Sequence, residues 1–106
     1  MTTSPHLHAG FGRTVITPSL AVPHAGWGAQ THLLADGVHR DLHVSVLLLA
    51  HGDAVATALV EFDLVGVYGL ERSIQEAVAR ECGVAIDDVR VSVTHNHANP
   101  IMWDNW

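Results

Sequence analysis

Hydrophobic positions along this chain change rhythm three times. From His43 to Ala50 and from Ala54 to Phe62 they run almost unbroken and are rich in valine, leucine and alanine. Such runs are apolar on both faces, so they are expected to be inner strands covered on two sides. His51-Gly52-Asp53 separates them, and its length and turn chemistry predict a β-hairpin. From Gly69 to Cys82 the period lengthens. Leu70, Ile74, Ala77, Val78 and Cys82 recur at helical spacing, with Glu71, Arg72, Gln75, Glu76 and Arg80 on the other face. Gly83 is a natural helix stop. After a turn over Ala85 to Asp88, the β-branched segment Val89 to Thr94 reads as the last strand.

A strand, a helix and a strand in that order predict a crossover unit with parallel strands. Asp63, which ends the first of these strands, and His95, which ends the second, then share one edge of the sheet. Open α/β sheets bind ligands at the carboxyl ends of their strands. Upstream, Ala9 to Ile16 predicts a further strand ended by Thr17-Pro18, and Pro18 to Val38 reads as a long irregular loop punctuated by Pro23 and Gly26-Trp27-Gly28. A loop of that length in a small domain is more often functional than idle. The expected fold is therefore α/β: a mixed sheet with an antiparallel hairpin and one β-α-β crossover. With a single helix, one sheet face lacks cover, which favours self-association or another domain.

Composition narrows the function. At 106 residues and 48% hydrophobic content the chain is expected to be one folded domain, 1–106. Five Lys and Arg against eleven Asp and Glu give a formal charge of −6, which disfavours nucleic acid and anionic membrane surfaces. Nine histidines are an excess for this length, and His6 and His8 are expected in a frayed N-terminus. Cys82 stands alone, so no internal disulfide can form, and it reads as a small half-buried residue. The N-terminal stretch lacks the charge and apolar run of a secretory signal, and no apolar run approaches the ~20 residues of a membrane helix. A cytoplasmic site of action is the expectation.

The chemistry concentrates in Thr94-His95-Asn96-His97-Ala98-Asn99-Pro100. Two imidazoles two residues apart at a strand end point to the same side of an extended chain, and neutral imidazole is both a zinc ligand and a general base. The bland alternative is a pair of polar residues bonded to loop carbonyls. A catalytic zinc takes three protein ligands, so His95 and His97 supply at most two. His24, His32, His39 and His43 are candidates for a third if the long loop folds over the sheet edge. Asp63 reads either as a group orienting a histidine through its second ring nitrogen or as a turn residue. Trp27, between two glycines, reads as the wall of an acyl groove or as a loop plug, and Arg13 as a carboxylate binder or an edge cap. Trp103 and Trp106, with Met102, form an apolar tail expected to find cover on this fold or on a partner.

The ordered blocks Ala9-Gly10-Phe11-Gly12-Arg13-Thr14-Val15-Ile16-Thr17-Pro18, Gly26-Trp27-Gly28, Gly37-Val38-His39-Arg40-Asp41-Leu42, Asp63-Leu64-Val65-Gly66 and Val93-Thr94-His95-Asn96-His97 resemble the N-terminal portion of the neutral/alkaline non-lysosomal ceramidase family. Members of that family are zinc-dependent amide hydrolases that cleave N-acylsphingosines to a fatty acid and sphingosine, and they are often secreted. Their signature reads Thr-His-Thr-His-Ser-Gly-Pro, so Ala98 and Asn99 stand here where the family has serine and glycine. By this resemblance His95 is a zinc ligand and His97 is the neighbour that meets substrate or the attacking water. Beside them Trp27 is the candidate substrate-binding residue, and Asp63 and His39, the latter in the family-like Gly37-Val38-His39 block, are the candidate orienting groups. The family's remaining zinc ligands, a histidine, a glutamate and a tyrosine, come from regions downstream of this motif.

The resemblance thus implies a truncated ceramidase-like domain acting on lipid amides, with zinc as cofactor and an incomplete site. The rival expectation is a non-catalytic fragment or assembly subunit. Such a subunit docks through its exposed sheet face and Trp-rich C-terminus, either as a homo-oligomer or on a completing partner chain. A third expectation, a metal-storage or pH-sensing surface built on the scattered histidines, is the least favoured.

Overall fold

The computed structural model describes residues 6–24, 28–100 and 102–103, the last two through their backbone alone. A four-stranded sheet runs in the order β1 (Leu7–Val15), β2 (His43–His51), β3 (Ala54–Phe62), β5 (Val89–Val93). β1 and β3 each pair antiparallel with β2, whereas β3 and β5 are parallel. The helix α1 (Glu71–Cys82) and a short 3-10 turn (Ile86–Asp88) make the crossover. A separate parallel pair joins β4 (Val67–Tyr68) to β6 (Met102–Trp103). The fold is α/β with a mixed sheet, as the hydrophobic pattern implies.

Each element has a local cause. The hairpin closes on Gly52-Asp53, with Gly52 at φ 61°, a left-handed position that glycine adopts without penalty. Helix α1 begins at Glu71 rather than Gly69 because Gly69 sits at φ 76°, outside helical space. It ends where Gly83 turns left-handed at φ 67° and its N–H bonds the Ala79 carbonyl at 3.0 Å. The buried stripe of the helix also differs from the expected one. Ala79 is its buried residue, Val78 packs beside it, and the Gln75 amide donates to the Val89 carbonyl at 3.1 Å. A residue assigned to the polar face thus ties the helix to β5.

The core lies between α1 and one sheet face. Ala58, Val60, Ala79 and Val89 form its buried centre, with Val44, Val46, Leu48, Phe62 and Val91 packed around them. The alternation of a strand puts Leu47, Leu59 and Phe11 on the opposite face, where the register aligns them in one row. No described element covers that row. β2 and β3 are inner strands by position, but the expectation of cover on both faces fails, because only one helix is present to supply it. β1 is exposed along its whole length, with Leu7 at 74% and Phe11 at 66%. It also begins at Leu7, so His8 is a paired strand residue opposite Ala50 rather than part of a frayed end.

Candidate functional site

The carboxyl ends of β3 and β5 lie side by side, since Phe62 pairs with Val93 in parallel register. Beyond this pair the two chains continue to bind each other. Thr94 N–H donates to the Phe62 carbonyl and His95 N–H to the Leu64 carbonyl, both at 3.0 Å. The segment 64–67 is buried, as are Asn99 and Pro100, so the histidine loop rests on a solid floor.

His95 takes φ 60°, the one positive value at a non-glycine residue among those described. Left-handed backbone is uncommon for such residues, and strain of this kind clusters at functional loops. Its ring Nδ1 lies 2.7 Å from the Val65 carbonyl oxygen. A carbonyl can only accept, so Nδ1 carries the proton, and in the neutral ring Nε2 keeps the lone pair. The ring of His97 stands edge-on to that of His95, with centroids 5.0 Å apart and planes at 81°. The turn between them is fixed by amides: Asn96 Nδ2 donates to Thr94 Oγ1 at 3.1 Å, and Asn96 Oδ1 accepts from Ala98 N–H at 3.1 Å.

A cleft of about 960 Å³ opens between this edge and the segment 17–42. Its ends are drawn together at the sheet: Ile16 N–H donates to the Leu42 carbonyl at 2.8 Å, Thr17 Oγ1 donates to Asp41 Oδ1 at 2.8 Å, and Leu42 N–H donates to Thr17 Oγ1 at 2.9 Å. Inside the loop, Gln30 Nε2 donates to the carbonyls of His24 and His32 at 2.9 and 2.6 Å. The described part of 16–42 holds no helix or strand, in keeping with the irregular loop expected there. His97, Asp63, His39, His24 and His32 all line the cleft, with Leu20, Leu34, Val38 and Leu42 as apolar wall.

The candidate residues therefore divide. His97, His39 and Asp63 share the cleft, whereas His95 does not line it. Asp63 Oδ2 accepts from His43 N–H at 2.9 Å and lies 3.7 Å from His43 Nδ1, so it is engaged with His43. Arg13 lies on the uncovered sheet face, donating to Ser45 Oγ at 3.0 Å with its guanidinium 5.5 Å from the Phe11 ring centroid. Trp27 lies outside the described residues. Among the described residues, no three His, Cys, Asp or Glu side chains gather closely enough to hold a metal ion. Taken alone, these residues fit one imidazole donor and not a complete zinc site.

One buried polar residue beside the histidines escaped the sequence reading. Asn99, at 0% exposure, accepts from Val65 N–H through Oδ1 at 3.1 Å and donates through Nδ2 to the Asn96 carbonyl at 2.7 Å and Asn96 Oδ1 at 2.6 Å. Its position between Ala98 and Pro100 suggested only a lost glycine; no signal in the sequence marks a loop amide as buried.

Comparison with solved structures gives this geometry a setting. The chain is similar to a ceramidase complexed with C2, at TM-score 0.74 and 20% identity, covering 93% of this chain and 16% of that one. It is equally similar to the neutral ceramidase of Pseudomonas aeruginosa, at TM-score 0.74 and 19% identity, covering 94% of this chain and 16% of that one. No family model and none of the curated proteins match the sequence. The chain shares the fold of part of a neutral ceramidase and spans about a sixth of the length of those structures.

Proposed function

We propose that the chain is part of a ceramidase-like zinc amide hydrolase that cleaves N-acylsphingosines to fatty acid and sphingosine, and that it contributes His95 as a zinc ligand. The observation that carries this reading is the 2.7 Å contact between His95 Nδ1 and the Val65 carbonyl. Metal-binding histidines commonly give their other ring proton to a carbonyl or carboxylate, which fixes the tautomer and makes the free nitrogen a better donor. Zinc, when bound, supplies an activated water and polarises the amide carbonyl.

In this reading His97, which lines the cleft, meets substrate or moves a proton, and the apolar lining from Leu20, Leu34, Val38 and Leu42 suits a lipid-amide chain. Trp27 belongs to the same loop by sequence and is assigned to the acyl groove; His39 and Asp63 orient groups at its mouth. The further zinc donors come from outside the described residues. Those elements also give the bare sheet face around Phe11, Leu47 and Leu59 something to pack against, which accommodates the assembly reading within the same account.

The test is fatty-acid release from a series of N-acylsphingosines by the chain assembled with the elements that supply the further zinc donors, with and without zinc. Zinc-dependent turnover that disappears in His95→Ala and falls about 10²- to 10⁴-fold in His97→Ala is expected. Turnover that is absent, or undiminished in His95→Ala, contradicts the reading.

A further inference from the structure

We propose that Asn99 is the positioning residue of the histidine loop, setting the ring orientation of His95 through Val65 and the spacing of His95 and His97 through Asn96. The inference deepens the functional reading above and rests on it for its catalytic meaning, though its geometry stands alone. Asn99 grips both ends of the arrangement. Its Oδ1 takes the N–H of Val65, and the carbonyl of that same residue takes the His95 ring proton. Its Nδ2 holds the carbonyl and the side-chain oxygen of Asn96, which lies between the two histidines. One amide thus connects the loop that aims the first imidazole to the turn that separates it from the second.

The chemistry requires asparagine. Aspartate keeps an acceptor for Val65 N–H but has no donor for the two Asn96 oxygens, and leucine of similar size has neither. Burial makes the requirement stringent, because no water can replace a lost partner. A residue that only filled space would tolerate either change.

The experiment reads the His95 ring by ring-nitrogen NMR on metal-free protein, so that it does not depend on turnover. Wild type is expected to show the Nδ1–H tautomer at His95. In Asn99→Ala this signature is expected to shift to a mixture of tautomers. In Asn99→Asp, His95 is expected to stay close to wild type while the His97 ring signals move. Folded Asn99→Ala protein with an unchanged His95 signature overturns the proposal. If neither variant folds, wild type is followed through urea concentrations below its global transition. There the His95 signature and the exchange protection of Val65 N–H should be lost together, and independent loss overturns the proposal. Zinc retention is read separately, on the chain assembled with the elements that supply the further donors: no zinc there beside the expected ring behaviour defeats the functional reading and leaves the role of Asn99 standing.

Discussion

His95 donates its ring Nδ1 proton to the carbonyl of Val65 across 2.7 Å, from a backbone turned to φ 60°. The side chain is held by one residue and the main chain by another, since His95 N–H bonds Leu64. A left-handed backbone costs a β-branched residue more than it costs asparagine. Both substitutions lose the bond to Val65, so the backbone effect is their difference: His95→Val should be about 1–2 kcal/mol less stable than His95→Asn. Urea unfolding of the pair checks this, and equal losses would show that the conformation stores no strain.

The two sheet faces should answer differently to substitution. Val60, at 1% exposure against α1, loses both transfer energy and packing when cut back. Val60→Ala should cost about 2–3 kcal/mol. Leu47→Thr, on the bare face, should cost less than about 1 kcal/mol and reduce self-association. Thermal unfolding and light scattering of both variants separate the two effects; a larger loss at Leu47 would mean that the row is covered in solution.

One hydroxyl bridges the ends of the cleft loop beside the Ile16–Leu42 backbone bond. Thr17 Oγ1 both donates to Asp41 and accepts from Leu42 N–H. Thr17→Val keeps the shape and removes both bonds, worth about 1–2 kcal/mol together at this exposed site. Limited proteolysis should then cut within 18–41 several-fold faster than in wild type, with the sheet intact.

Helix termination offers an independent check on the crossover. Gly83 at φ 67° has open space where a Cβ would sit, so Gly83→Ala tests backbone conformation alone. It should cost about 1 kcal/mol, read as a lowered melting temperature without loss of helix content.

The sheet was largely legible because its signals are local. The apolar run Ala54 to Phe62 is β3 to the residue, Gly52 marks the hairpin, Gly83 the helix stop, and the strand-helix-strand order the parallel pairing of β3 with β5. Cover was not legible. Leu47 and Leu59 have the same apolarity as Val46 and Val60, and only the number of helices decides which face is packed. The candidate site was legible as residue types: His97, Asp63 and His39 do meet at one cleft. Its internal wiring was not. Asn99 looks like an ordinary loop amide, and its partner Val65 lies 34 positions away, beyond any local pattern.

The most direct test of the central claim, that His95 is a zinc ligand, is the zinc content of the size-fractionated assembly of this chain with the elements that supply the further donors, beside the same assembly carrying His95→Ala. The account predicts that zinc is retained in the wild-type assembly and lost from the equally folded variant. Equal zinc in the two assemblies, or none in a folded wild-type assembly, would contradict it.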